Sequence, residues 1–207
     1  MKKNNKDIPR HIVIFVEGDT DELFFKALVE HYKKVSQTPL LPCQVCNLKG
    51  VTRYSGKLLA KLKNDFLPEA RKKNYRIQAV CCSYDTDVFE LKHPLIVDWK
   101  QLEKNVRKLG IEHFVQIGVE HAIEDWILDD LQGICRFLKL KEMPKTPKGN
   151  NGFEKLTDLY AKAHKTYQKG FATRELIANI DMDIIIRKRK EALRILEQML
   201  PITLPTD

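Results

Sequence analysis

Residues 12–25 read IVIFVEGDTDELFF, an apolar run followed by a glycine and four acidic residues. The run Ile12–Val16 is β-branched and aromatic, which is typical of a strand buried in a parallel sheet. Gly18 permits a tight turn, and the acids after it suit the positive end of a helix dipole. The stretch therefore predicts a strand, a turn and a helix. Glu17 is left unexplained, because a carboxylate at the tip of a buried strand costs free energy unless something pairs with it.

A second apolar run also ends in acid. Residues 76–84 (RIQAVCCSY) predict another buried strand, which leads directly into Asp85-Thr86-Asp87. Shorter strand candidates cover 44–48 and 113–119. Helical patterns cover 21–35, 56–66, 99–109, 121–138, 153–167 and 183–200. Strands that alternate with helices at this spacing predict an α/β fold, with a mostly parallel sheet flanked by helices and a helical C-terminal part.

The 207 residues fit one domain, or one domain with an appended subdomain. The segment EMPKTPKGNNG, residues 142–152, is the clearest loop or linker. It predicts an α/β domain over 1–141 and a basic, mainly helical extension over 142–207 that packs on it, unless the two form one integral domain. The net charge is +8, and residues 139–207 carry 14 Lys and Arg against 9 Asp and Glu. This balance favours a polyanionic partner without identifying nucleic acid.

The composition argues against several classes of protein. No apolar stretch approaches the roughly 20 residues that span a bilayer. The basic start is followed by an apolar run too short for a secretory signal, so we expect a cytoplasmic protein without a membrane partner. Five cysteines in no regular framework argue against a disulfide scaffold. The pair Cys43 and Cys46 forms a single CxxC, which is weak evidence for zinc or redox chemistry.

Acidic side chains follow both of the best strands. Glu17 follows the first, and Asp85 and Asp87 follow the second. Ligands of open α/β sheets bind beyond the carboxyl ends of the strands, where these side chains would meet. Clustered carboxylates suit hard divalent cations such as Mg²⁺ or Mn²⁺. The alternative for Asp85 and Asp87 is ordinary turn chemistry at a strand end.

These residues resemble a known family. EGDTDELFF after one strand and DTD after a later one resemble the TOPRIM domain of topoisomerases, primases and related nucleases. Asp21 is similar to the second acid of the EGxxE variant, found in overcoming-lysogenization-defect (OLD) nucleases and in small TOPRIM-like proteins of phage defence and mobile elements. The resemblance implies a Rossmann-like fold, one or two Mg²⁺ or Mn²⁺ ions, and Glu17, Asp21, Asp85 and Asp87 as metal ligands.

The resemblance extends along the chain. VEHAIEDWILDD is similar to an acid–tryptophan–acid helix of the small TOPRIM-like proteins, which places Glu124, Trp126 and Asp130 on that motif. Tyr167 and Lys169 fall on a later Tyr-x-Lys segment. The resemblance implies Glu124 as a further metal ligand and Lys169 as the group that stabilises charge on the scissile phosphate. Whether one or two ions bind stays open, because only Glu124, with Glu120 or Asp130, would complete a second metal site.

Other charged side chains allow a plainer interpretation. Asp125 and Asp129 lie beside the apolar stripe of the 121–138 helix, and we expect them to be exposed. Four basic residues are candidates for nucleic-acid binding through phosphate contacts: Arg53, Lys57, Arg187 and Lys188. Such residues are more often a solubilising surface.

The combined interpretation is a metal-dependent phosphodiesterase, most simply a nuclease, in which Glu17 binds metal or acts as general base or acid. The alternative is a non-catalytic TOPRIM-like module that binds nucleic acid or a partner protein such as an ATPase. The sequence has no GxxxxGK[ST] motif, so energy-coupled activity would need that partner. A receiver-like phosphotransferase would need a suitable lysine after a later strand, which we do not find. The resemblance alone implies a role in phage defence or mobile elements.

Overall fold

A computed structural model describes residues 8–87 and 97–203. In this part of the chain four strands form one sheet, in the order β2-β1-β3-β4. All three strand pairs are parallel. The strands are β1 (Arg10–Val16), β2 (Cys43–Asn47), β3 (Arg76–Asp85) and β4 (His113–Val119). The predicted α/β class, with a parallel sheet flanked by helices, is confirmed.

The helices of the described residues fill the connections and the C-terminal part. The first four are α1 (Asp19–Val35), α2 (Lys57–Lys61), α3 (Leu67–Lys73) and α4 (Trp99–Lys108). The next three are α5 (Ile123–Ile127), α6 (Leu131–Leu138) and α7 (Gly152–Lys162), and the last three are α8 (Phe171–Ile177), α9 (Met182–Lys188) and α10 (Lys190–Met199). Short 3₁₀ turns cover Val51–Arg53 and Leu128–Asp130, and a π-helical turn covers Leu62–Phe66.

The sheet separates two apolar cores, because successive side chains of a strand point to opposite faces. Ile12, Ile14 and Val16 of β1 lie in one core, which also holds residues of α1 and of α5–α10. Val13 and Phe15 lie in the other core, with residues of α2–α4. A strand covered on both faces has no room for alternating polar residues, which explains the continuous apolar runs of the sequence.

Several predicted helices end at other residues in the structure. The helix predicted over 153–167 ends at Lys162, and His164 adopts a left-handed conformation (φ 56°) just after it. The helix predicted over 183–200 is divided at Arg189, whose guanidinium pairs with acids of another segment. The helix expected to stop before Pro68 continues to Lys73, because the proline falls in the first turn of α3, where no backbone donor is needed. α8 was not predicted.

The C-terminal helices contact the first part of the chain. α7 contacts α5, α8 contacts α1, and α10 contacts β4. Side chains from both sides of residue 141 share one core, and the boundary between 141 and 142 stays a prediction. Among the described residues, no helix combines the length and the apolar character that crossing a membrane requires.

Candidate metal centre

The carboxyl ends of β1 and β3 are joined through Glu17. Its side-chain Oε1 accepts a hydrogen bond from the backbone N–H of Asp85 at 3.1 Å. Its own carbonyl oxygen accepts from the N–H of Gly50 at 2.8 Å, which brings in the loop after β2. Burial, together with the charges of Asp21 and Asp87, raises the pKa of Glu17 to about 8, although the hydrogen bond from the Asp85 N–H acts in the opposite direction. Glu17 therefore exchanges a proton near neutral pH.

Asp21 lies in the first turn of α1 and is 4% exposed. Its Oδ1 is buried without a hydrogen-bond partner. Burial raises the pKa of Asp21 to about 6; Glu124 also raises it, whereas backbone N–H groups and Lys169 lower it. Gly18 leaves room for the Asp21 carboxylate because it has no side chain. A Cβ at Gly18 would lie only 3.0 Å from Asp21 Oδ2.

Asp85 ends β3, and Asp87 lies in the exposed turn after it. The buried Oδ1 of Asp85 has no hydrogen-bond partner. Burial raises the pKa of Asp85 to about 9, with further contributions from Asp21, Glu17, Glu124 and Asp87. The turn is fixed to the loop after β4, because the N–H of Asp87 donates to the carbonyl of His121 at 3.2 Å.

Glu124 and Lys169 form an ion pair at the edge of this acidic group. Glu124 lies in the first turn of α5 and is fully buried. Its Oε1 lies 3.1 Å from Lys169 Nζ, at an angle that does not make a hydrogen bond. The lysine side chain is 55% exposed, and its Nζ lies 5.4 Å from the centre of the Phe153 ring. Lys169 is thus in contact with both the acids and the solvent.

Gly152, at the start of α7, positions Glu124. A Cβ at this glycine would lie 2.5 Å from the backbone N of Asp125 and 2.7 Å from the carbonyl carbon of Glu124. The Gly152 N–H donates to Asp125 Oδ2 at 3.2 Å. The Asp125 side chain is only 14% exposed, so the expectation that it is exposed was wrong. The sequence gives no sign of this contact, because the two residues are 27 positions apart.

The structure brings together the five predicted metal ligands, Glu17, Asp21, Asp85, Asp87 and Glu124: charges within this group raise the pKa values of Glu17, Asp21 and Asp85. Within residues 8–87 and 97–203, however, no three His, Cys, Asp or Glu side chains are arranged to hold a metal ion. Carboxylate oxygens that are buried and unpaired still fit a hard cation by their chemistry. Binding would require these side chains to reorient, and the five assignments stay predictions.

We expect the stability of the metal-free protein to fall as pH rises from about 6 to about 9. The folded-state pKa values of Glu17 (about 8) and Asp85 (about 9) exceed the unfolded values, so the folded state holds more protons in this range. Each extra proton contributes a slope of about −1.4 kcal/mol per pH unit. Urea unfolding at a series of pH values measures the slope. An unchanged stability across the range, or an identical slope in Asp85→Asn, would contradict the expectation.

The neighbouring acids of the α5–α6 segment have structural roles. Asp129 was expected to be exposed, but its side chain is 13% exposed and pairs with Arg189 at 2.6 Å. Arg189 also contacts Glu120 at 2.5 Å, and nothing in the sequence indicated these pairings. Asp130, considered as a completing metal ligand, accepts hydrogen bonds from the backbone N–H of Gly133 (2.9 Å) and Asp181 (2.7 Å).

We expect Asp130→Ala to lower the free energy of unfolding by about 2 kcal/mol, because two buried backbone donors lose their acceptor. Its affinity for Mn²⁺ should remain that of the wild type. Chemical unfolding and metal titration of the same preparation measure both quantities. A stable variant with weakened metal binding would show that Asp130 is a ligand after all.

The four predicted nucleic-acid contacts lie in two places. Arg53 is exposed in the turn after β2, whereas Lys57 Nζ donates to the carbonyl of Leu48 at 3.0 Å. Arg187 is exposed at the end of α9, and Lys188 Nζ donates to the carbonyl of Asp129 at 2.7 Å. Two of the four side chains thus bond to the protein's own backbone. Their role in binding nucleic acid stays a prediction.

The two aromatic residues of the resembling motifs are buried. Trp126 lies in the core, 6.1 Å from the ring of Phe24. Tyr167 is packed against the rings of Phe153 and Tyr160, at 5.7 and 5.2 Å. Its hydroxyl lies 3.3 Å from Thr173 Oγ1. Tyr167 therefore anchors the segment that carries Lys169.

The CxxC pair is divided by the sheet. Cys43 contacts the core on one face and Cys46 the core on the other, since residues three apart in a strand point to opposite sides. Both thiols are free, and burial raises the pKa of Cys43 to about 12. The two thiols cannot form a disulfide or bind the same metal ion while both residues remain in the strand.

Comparison with known proteins gives one distant likeness. No protein-family model matches the chain, and none of the curated proteins matches it in sequence. Among solved structures, the C-terminal region of the OLD protein of Xanthomonas campestris pv. campestris is similar, at 16% identity and a TM-score of 0.41. The match covers 91% of this chain and 96% of that one. A likeness this distant does not place the chain in that protein's family.

Proposed function

We propose that this protein is a TOPRIM-type phosphodiesterase that hydrolyses nucleic acid with Mg²⁺ or Mn²⁺. One observation carries the proposal: the Lys169 ammonium lies 3.1 Å from buried Glu124, beside the acids that follow β1 and β3. These residues come from distant parts of the sequence, and the family resemblance selected each of them. A phosphodiester needs both a cation-binding group of carboxylates and a positive side chain near its oxygens.

The carboxylates would hold the metal. Asp85, Glu17 and Asp21 provide buried or half-buried oxygens, and the charges of Asp87 and Glu124 act on this group. A bound divalent cation would neutralise charge on the phosphate and lower the pKa of the attacking water. It would also remove the mutual repulsion that raises the pKa values of Glu17, Asp21 and Asp85.

Two side chains have further roles. Lys169 is paired with Glu124 yet half exposed, so its ammonium can reach an incoming phosphate oxygen and stabilise the charge that develops on it. Glu17 has a pKa of about 8 and is hydrogen-bonded on Oε1, so the carboxyl group can accept a proton near neutral pH. We infer that it serves either as ligand or as general base.

The second candidate is a non-catalytic module that binds nucleic acid or a partner protein such as an ATPase. The observation that favours it is that no metal-holding set is already formed among the described residues. Under either function a place in phage defence or mobile-element biology follows from the resemblance.

A cleavage assay on supercoiled plasmid and on structured RNA distinguishes the phosphodiesterase from the non-catalytic module. We expect cleavage of at least one substrate in Mg²⁺ or Mn²⁺ and none in EDTA. Asp85→Asn/Asp87→Asn should be inactive under all conditions. Binding without cleavage of either polymer in any metal would favour the non-catalytic module.

A further inference from the structure

The segment 163–171 connects the acidic group to a basic pocket. α7 begins with Gly152 against the backbone of Glu124 and ends at Lys162, about 16 Å further on. The chain then returns without regular structure to Lys169, which contacts Glu124. This returning segment therefore links the far end of α7 to the candidate metal centre.

The pocket at the far end has a volume of about 900 Å³ and a basic lining. Its basic groups come from the ends of α6 and α7, and one acid, Glu142, lies among them. The basic residues are Lys139, Lys141, Lys162, His164 and Lys165. Lys162 is paired with Asp158 at 2.6 Å, which leaves the others to attract an anion.

Along the segment, exposed residues lie on both sides of one buried residue, Tyr167. Lys165 and Lys169 are exposed, and buried Tyr167 between them fixes the segment to the core. The two lysine Cα atoms are at most about 14 Å apart. Each ammonium also lies 5.4 Å from an aromatic ring centre, Phe137 for Lys165 and Phe153 for Lys169. Both lysines thus flank the buried Tyr167 and lie beside an aromatic ring.

An unusually exposed aromatic side chain follows directly. Phe171 is 86% exposed, the highest value among the large apolar side chains of the described residues. Its position is fixed by the turn at Gly170, where the Phe171 N–H donates to the Lys169 carbonyl at 3.0 Å. A single exposed apolar residue needs no explanation alone. Here it stands two residues from the lysine of the candidate centre.

We propose that the surface formed by Phe171, Lys169, Lys165, Lys139 and Lys141 binds single-stranded nucleic acid. The lysines would contact successive phosphates and the Phe171 ring would stack on an unpaired base. Basic groups combined with exposed aromatic rings are the usual means of holding single strands, whose bases are free to stack. A duplex offers phosphates but no free base face. The inference rests on the proposed function and specifies its substrate as an unpaired strand.

The test measures binding in EDTA, so that it does not depend on cleavage. The probes are a labelled DNA strand of about 30 nucleotides, the RNA of the same sequence, and the matching DNA duplex. Phe171→Ala should weaken binding of the single strands about five- to hundredfold, and Phe171→Trp should retain it. The duplex affinity should change little in Phe171→Ala.

The combined variant Lys139→Ala/Lys141→Ala/Lys165→Ala should lower the slope of log affinity against log salt by about 2 for the single strands, because three phosphate contacts are lost. Matched controls are Ile195→Ala and the combined variant Lys100→Ala/Lys104→Ala/Lys108→Ala, which lies on α4 across the sheet. Both controls should bind like the wild type.

Two results would overturn the inference. Phe171→Ala and the triple lysine variant could bind single strands like the controls, or the wild type could prefer the duplex. Either result leaves the phosphodiesterase proposal intact if metal-dependent cleavage is observed. Failure of the wild type to bind any of the three probes would also overturn the inference, whereas the phosphodiesterase proposal is tested separately by metal-dependent cleavage.

Discussion

Asp85→Asn is expected to lower metal-dependent cleavage by roughly 10³-fold or more, since a ligand that supplies several kcal/mol of transition-state stabilisation is lost. The same change should stabilise the metal-free protein by about 1–3 kcal/mol at pH 8. Burial and neighbouring carboxylates raise the pKa of Asp85 to about 9, so ionisation is unfavourable in the fold, and the amide cannot ionise. Single-turnover cleavage and urea unfolding measure the two effects.

The matched control is Asp65→Asn, the same change at a side chain that is 59% exposed on the opposite helical layer. It should leave both cleavage and stability within error of the wild type. A destabilised Asp85→Asn protein would show that the carboxylate is held by favourable contacts. Undiminished cleavage would remove Asp85 from the metal centre.

Lys169→Met is expected to lower the rate constant of cleavage by about 10²–10³-fold, because the positive group acts on charge that develops in the transition state. The change also leaves the fully buried carboxylate of Glu124 without its cation. We expect a loss of about 1 kcal/mol in stability, since the lysine is 55% exposed and solvent screens the pair. Lys169→Arg should recover part of the rate.

The control for this variant is Lys155→Met, which removes an ion pair between α7 and Asp125 of α5, at 3.7 Å. It should cleave like the wild type. Equal rates in Lys169→Met and Lys155→Met would reduce Lys169 to a structural partner of Glu124.

The strands and their acids could be predicted from the sequence for a physical reason. A strand buried on both faces must be apolar throughout, so Ile12–Val16 and the run before Asp85 are conspicuous. Parallel strands place their carboxyl ends at one edge, so Glu17 and Asp85 were expected to meet, and a hydrogen bond at 3.1 Å joins them. The apolar pattern of the strands and the parallel topology of the sheet were together sufficient to predict that these two residues meet.

The other features of the site could not be predicted, because they depend on contacts between residues that are far apart in the sequence. Asp125 and Asp129 lie beside an apolar stripe, as exposed residues do, but Gly152 and Arg189 cover them from other helices. The break of the last helix at Arg189 has the same origin. Lys169 was found through resemblance alone, because a lysine before a glycine in a polar segment has no local feature that marks it.

Calorimetric titration of Mn²⁺ into the wild type and into Asp85→Asn/Asp87→Asn tests the central proposal most directly. It asks whether these carboxylates bind a cation, which we expect because Asp21 and Asp85 have buried oxygens without a hydrogen-bond partner. We predict saturable binding of one or two ions to the wild type and none to the double variant. No binding to the wild type, or equal binding to both proteins, would contradict the assignment of a metal centre at the ends of β1 and β3.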